Sequence, residues 1–307
     1  MSIQVVATQM CVMFLFIVIG YYMAKRDMLS PQTCKQISGL IVNVCSPAMI
    51  VASVVSAEKG LSFQVLIMVG IAVLVIFAVQ ILLGLFMGQV LHAPRTQWAN
   101  YNMMTVFGNL GFIGIPVSLA VLGNECMIYA VMFNLVFNIL VYTYGILVTT
   151  SQSENGKASF DWKKLINIGN LSAIVSIIIY FGDIQFPTIA ETALTYMANT
   201  VTFLSVLVIG ASVARLPFKS IFTEVRLYGF ILIRMVVFPI VVAFAMKQFF
   251  DDPIIVGLSV LMVAMPAANM PLMLAETYDQ DTTLLSKGIV LTTVCSVLTI
   301  TFVSLFV

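Results

Sequence analysis

The stretch Phe107-Gly108-Asn109-Leu110-Gly111-Phe112-Ile113-Gly114-Ile115-Pro116 decides how this chain folds. It lies inside an apolar window, Trp98–Leu122, that is long enough to cross a bilayer. Three glycines, an asparagine and a proline interrupt the window at its middle. Proline removes a backbone donor and clashes with the preceding turn, and glycine weakens a helix interior. The pattern predicts a helix that unwinds halfway. A second such stretch, Met265-Pro266-Ala267-Ala268-Asn269-Met270-Pro271, sits in a later window, Ile254–Ala275. Irregular backbone at membrane depth is tolerated only when buried in protein or lining a cavity. Two breaks at corresponding places in two halves of a chain point to a substrate site. Close helix packing is the competing explanation of Gly108, Gly111 and Gly114. The neighbouring Asn109 and Pro116, and the second break, favour unwinding.

The rest of the chain fits a membrane setting. Of 307 residues, 61% are apolar and 9% charged, against about 25% charged in an ordinary soluble domain. Ten apolar windows are separated by charges or turn residues: Val5–Ala24, Ile37–Ser56, Val65–Met87, Trp98–Leu122, Met127–Thr149, Leu165–Gly182, Ile189–Val213, Leu227–Met246, Ile254–Ala275 and Gly288–Val307. The fold expected is all-α and integral to the membrane, with ten transmembrane helices of which the fourth and ninth are broken. The connections leave no room for a soluble catalytic, nucleotide-binding or DNA-binding domain, and a net charge of +1 suggests no nucleic-acid partner.

Basic residues set the orientation. The odd-to-even connections carry Lys25, Arg26, Lys35, Arg95, Lys157, Lys163, Lys164, Arg215, Lys219, Arg226 and Lys287, and the other side carries only Lys59 and Lys247. Both termini are therefore expected outside the cytoplasm, with the longest polar stretch, Thr150–Lys164, inside. The organisation expected is a first five-helix repeat over 1–150, a cytoplasmic linker over 151–164 and a second repeat over 165–307. An odd number of spans per repeat makes the two repeats inverted. One motif supports the relation. Pro116-x-x-Leu119-Ala120 ends in Asn124 and Pro271-x-x-Leu274-Ala275 ends in Asp279, each with three residues between the alanine and the acid or amide.

Chemistry follows from the breaks. Pro116 and Pro271 suit the first turn of a restarted helix, where a missing N–H costs nothing. Such N-termini carry partial positive charge, and two of them meeting would hold a carboxylate anion. Asn109 and Asn269 add amide donors and acceptors. No Asp or Glu lies deep in a span, so the carboxylate that proton or sodium coupling commonly uses is missing. Asn134, Asn138 and Tyr142 fall on one face of span five. Arg234 is the one intramembrane charge. It could snorkel to the interface, guide substrate, or pair with Glu276 or Asp279. His92 reads as a loop histidine. The five cysteines lack a CxxC spacing and read as small buried hydrophobes. No cofactor or metal is expected, and neither an intramembrane protease nor an ATP-driven pump has its residues here. A sodium-coupled symporter is the competing transporter class, with Asn269, Thr292, Thr293 and Ser296 as neutral oxygen ligands.

At these residues the chain resembles the auxin efflux carrier family, whose bacterial members are often described as malate or malonate permeases. The matching features are the 109–116 stretch and the proline-rich break from Pro266 to Pro271. Asn43–Pro47, Ile209-Gly-Ala-Ser212 and Leu291–Val297 also match. The resemblance implies two inverted five-helix repeats. It implies a scaffold of spans one, two, six and seven, a mobile domain of the others, and a homodimer in the cell membrane. It also implies that a small organic anion is held where spans four and nine cross. By position it carries substrate contact onto Asn109, Pro116, Asn138, Tyr142, Pro266, Asn269 and Pro271; the break itself adds Gly111 and Gly114, and the intramembrane charge adds Arg234, as candidate substrate-binding residues. The long central loop of plant members is absent, which argues against auxin itself as the substrate.

Overall fold

A computed structural model describes residues 3–55, 63–151, 168–182, 184–215, 222–278 and 280–307. Most of the expected cytoplasmic linker lies outside these residues. Among those described, the secondary structure is helical apart from one isolated antiparallel bridge. Seven helices are long and apolar enough to cross a membrane: Gln4–Lys25, Pro31–Ala52, Gln64–Val90, Asn124–Thr150, Thr188–Arg215, Val225–Met246 and Thr283–Phe306. Three shorter apolar helices, Leu110–Leu122, Ile168–Phe181 and Pro253–Ala264, fall in the windows for spans four, six and nine.

Helices begin and end where local chemistry requires. Ser30 caps span two by accepting the Thr33 N–H at 3.0 Å, with Pro31 at the first helical position. Asp252 caps span nine by accepting the Ile254 N–H at 2.8 Å. Asp281 accepts the Thr283 N–H at 2.9 Å, and hydrogen bonds from the Thr283 hydroxyl first and this N–H second hold its carboxyl below the usual carboxylate range. Spans one and three stop at residues in the left-handed region, Asp27 (φ 57°) and His92 (φ 50°). Behind them, Met28 N–H reaches back to Met23 O and Ala93 N–H to Gly88 O, the bonding of a Schellman stop. His92 is exposed at this turn, as a loop histidine should be. Cys34, Cys45 and Cys126 are buried, while Cys11 is exposed, and all five thiols are free.

Two packed groups emerge. Span one lies against span seven, span seven against span two, and span two against span six. Span three packs on spans four and five, span eight on nine, and span ten on four and nine, and the two groups meet where span ten packs on span one and span five on span six. The first group is pinned where spans one and seven cross. A Cβ on Gly20 would fall 2.1 Å from the Leu207 carbonyl oxygen, and a Cβ on Gly210 would fall 2.2 Å from that of Ile17. The two backbones touch because neither glycine has a side chain. At the cytoplasm-facing end expected for span seven, Arg215 donates to Leu29 O at 2.9 Å and to the Cys34 sulfur at 3.2 Å. That clamp ties span seven to the start of span two.

The helices are not uniform. Wider π turns interrupt span two at Ile41–Cys45, span four at Leu110–Gly114, span five at Val141–Gly145 and span eight at Leu232–Val237. Such turns recur at functional sites. Three of these four belong to spans that meet at the break described next.

Candidate functional site: the crossing of spans four and nine

Span four runs helically from Trp98 to Val106, and span nine from Pro253 to Ala264. Both then unwind. The extended segments pass each other as a one-residue antiparallel ladder centred on Gly108 and Ala267. Asn109 N–H donates to Pro266 O at 2.7 Å, and Ala268 N–H donates to Phe107 O at 2.9 Å. Helices then resume, at Leu110 in span four and at Met270 in span nine. Both expected breaks are present, and main-chain atoms join them.

The breaks redirect two backbone donors at the crossing. In an unbroken helix, Thr105 O would accept from Asn109 N–H, and Val263 O from Ala267 N–H. Asn109 N–H is spent on Pro266. Ala267 N–H donates instead to the Thr292 hydroxyl of span ten at 3.1 Å. Two carbonyls are thereby orphaned at the ends of the first half-helices. Arg234 of span eight takes both. Its Nε donates to Thr105 O at 2.6 Å, and one terminal nitrogen donates to Val263 O. Arg234 is 2% exposed. Of the readings its sequence position left open, snorkelling is excluded by this burial. Asp279 and the Glu276 side chain lie outside the described residues.

Gly108 makes room for this arginine. A Cβ there would stand 3.1 Å from the second terminal nitrogen. Arg234 shares a narrow gap with Phe77, Gln80, Val106, Leu110, Phe133 and Met262. Gln80, from span three, is also buried.

On the other side of the crossing, the restarted helices begin with asparagines. Asn109 accepts the Phe112 N–H on its side-chain oxygen at 3.2 Å, capping the second half of span four. Asn269 directly precedes the second half of span nine, and its carbonyl accepts from Met273 N–H at 3.1 Å. Its half-buried side chain makes no hydrogen bond among the described residues. Pro271 is in the first turn of its helix, as its chemistry requires. Pro116 is the second residue of an α-helical segment, but the π turn over Leu110–Gly114 comes before it. The free first-turn N–H groups in span four therefore lie one turn earlier than the position of Pro116 indicates. In the wider turn Gly114 N–H reaches Asn109 O at 2.9 Å.

The glycines divide. A Cβ on Gly114 would press on Met262 and Met265 at 3.2 Å, so close packing governs that position. A Cβ on Gly111 would meet nothing within 4 Å. Gly111 thus faces open space at the start of the restarted helix. Span five runs alongside: its first part packs on the Leu110–Gly114 turn, and its π turn packs on the second half of span nine. Tyr142 is half-buried within that π turn, and Asn138 one turn earlier. The Asn138 amide donates to Asn134 O at 3.0 Å, within its own helix.

Sequence reasoning passed over a neighbouring pair. Asn102 and the Tyr144 hydroxyl bond at 2.8 Å, joining span four to span five. The signal was available: an asparagine well inside an apolar window.

The residues considered as hydroxyl ligands of a cation donate their hydrogens within their own helix. Thr292 donates to Gly288 O at 2.7 Å while accepting from Ala267, Thr293 donates to Ile289 O at 2.7 Å, and Ser296 donates to Thr293 O at 2.7 Å. Among the described residues, no group of three or more His, Cys, Asp or Glu could hold a metal ion. Thr292→Val keeps the shape and removes the acceptor of Ala267 N–H. It should destabilise the protein by about 1–3 kcal/mol, the cost of a buried unmade bond, read as a fall in melting temperature in detergent. An unchanged melting temperature would mean that this bond does not hold the crossing.

A family model described as "Membrane transport protein" matches residues 5–304. The chain is similar to an uncharacterized transporter of Methanocaldococcus jannaschii, 24% identical over 94% of each chain. It is also similar to an uncharacterized transporter of Methanothermobacter thermautotrophicus, 23% identical over 92% of each chain. With ten apolar helical segments among the described residues and a match over nearly its whole length, this chain belongs to the membrane transport protein family, the auxin efflux carriers.

Proposed function

We propose that this chain is a secondary transporter or uniporter that carries a small organic carboxylate across the cell membrane. The observation that carries the reading is the asymmetry of the crossing. The two C-terminal half-helix ends are occupied by Arg234. The two N-terminal ends, at Asn109 and Asn269, carry no acidic side chain in their first turns. Uncompensated N-termini attract an anion. Open space at Gly111 and the unengaged amide of Asn269 give that anion a place and a donor. Asn138, Tyr142, Pro116, Pro266 and Pro271 frame it, with Gly114 packing the turn behind.

The mechanism proposed is an elevator. Spans one, two, six and seven form the fixed group and the remaining spans the moving one, a division that the packing of the two groups supports. The ten spans form two inverted five-helix repeats, with both termini outside the cytoplasm and two copies of the chain joined through their fixed groups. The basic residues of the odd-to-even connections support that orientation.

The test is uptake of a panel of labelled mono- and dicarboxylates into proteoliposomes, with and without a sodium or proton gradient. Two variants sharpen it. Asn269→Ala should cut uptake at least tenfold and leave stability unchanged, because its side chain bonds nothing among the described residues. Asn109→Ala should impair uptake and also cost about 1 kcal/mol, the worth of a helix cap. Wild-type uptake by both variants would place the substrate elsewhere.

A further inference from the structure

We propose that Arg234 is a resident counter-cation of the crossing: its guanidinium stands where a bound metal cation would otherwise neutralise the two half-helix C-termini. The argument begins from the orphaned carbonyls. Each half-helix end carries roughly half a negative charge, and both ends face one gap at mid-membrane. Hydrocarbon offers no water to satisfy them. Backbone carbonyl oxygens are among the donors that a hard cation takes, and two of them converge on this buried gap. Here Thr105 O and Val263 O each receive one nitrogen of the same side chain. A planar guanidinium can fork to two acceptors, and it keeps its charge when buried. The missing Cβ of Gly108 leaves room for the remaining nitrogen.

The surroundings agree. The gap is lined by Phe77, Val106, Leu110, Phe133 and Met262, with Gln80 as its other polar side chain. Among the described residues, no carboxylate lines it. The hydroxyls of Thr292, Thr293 and Ser296 are turned to carbonyls of their own helix. Arg234 takes the two half-helix carbonyls that face the gap. The positive charge is fixed by a covalent bond to span eight, so it needs no loading from solution. Combined with the transport reading on which this consequence rests, the carrier moves its anion without sodium. Arg234 is then a positioning residue, holding both breaks in register from behind, rather than a ligand of the substrate.

The experiment is thermal unfolding of the purified full chain in detergent, with sodium chloride, choline chloride or low guanidinium chloride at equal ionic strength. Wild-type protein should melt at one temperature in sodium and in choline. Arg234→Ala orphans both carbonyls and should melt about 5–10 °C lower. Low guanidinium should restore at least half of that loss in the variant while leaving the wild type unchanged. Arg234→Lys, with one compact ammonium in place of the fork, should fall between the two. A wild type stabilised by sodium over choline would overturn the inference, as would an Arg234→Ala protein that guanidinium does not raise. If Arg234→Ala yields no folded protein, the wild-type sodium comparison and an Arg234→Lys protein as stable as the wild type each retain the power to overturn it. Because this readout contains no substrate, it is separate from the transport reading. Failed uptake of every acid with a sodium-indifferent melt would sink only the latter.

Discussion

Gly210→Leu should leave almost no folded protein in the membrane. A Cβ at this position would sit 2.2 Å from the Ile17 carbonyl oxygen, and the obstacle is backbone, which cannot rotate aside. The reciprocal change, Gly20→Leu, meets the Leu207 carbonyl at 2.1 Å. Relief requires separating spans one and seven along their whole crossing. That would open the contacts of Phe16 on Phe203, whose rings now meet edge to face at 5.2 Å. Overpacking a core commonly costs about 1–3 kcal/mol, and more where the neighbour is rigid. The loss expected here is at the top of that range or above it. The check is the yield of monodisperse protein by size-exclusion chromatography, against Gly39→Leu as a control. Gly39 has nothing within 4 Å of its would-be Cβ. Equal yields from all three variants would show that the two backbones do not approach so closely in the membrane.

The second large effect concerns ligand charge. A carboxylate that the protein binds should lose at least about tenfold in affinity when it is converted to its amide. Hydrogen bonds to an ionised acceptor are roughly twice as strong as neutral ones, and the N-terminal ends of the two restarted helices act on charge. The same substitution at a site built from neutral amides and aromatic rings would change little. The measurement is equilibrium binding of an acid recovered from the uptake panel and of its amide. Equal affinities would remove the half-helix ends from the recognition of substrate, whatever else the carrier transports.

Both breaks were legible because proline, glycine and asparagine inside an apolar window leave a compositional scar. The spans were legible for the same reason in reverse. The ladder between Gly108 and Ala267 was not legible, because it is made by main-chain atoms that every residue shares. The destination of Arg234 was equally hidden. Whether a charge in a helix snorkels or turns inward depends on the rotation of that helix about its axis, and a uniformly apolar span such as Val225–Met246 gives no polar face from which to read it. Pro116 misled by one turn. Pro271 comes four positions after Ala267, but Pro116 comes eight positions after Gly108, and the π turn takes up the difference. Wide turns have no dependable sequence signature. The tie between Asn102 and Tyr144 could have been anticipated, since a buried amide needs a partner and both residues lay in apolar windows.

The main-chain character of the ladder has an evolutionary side. Its two bonds, from Asn109 N–H to Pro266 O and from Ala268 N–H to Phe107 O, involve no side-chain atom. Mutation can therefore revise the amino acids on the open side of the crossing without dissolving the joint itself. The constraint falls on size, at Gly108 above all, and hardly on chemistry. A lineage built on such a joint is free to exchange one cargo for another by point substitutions near the helix starts. Its members would then diverge far in sequence while inheriting the same joint, and their ancestry would say more about how they move a solute than about which solute they move.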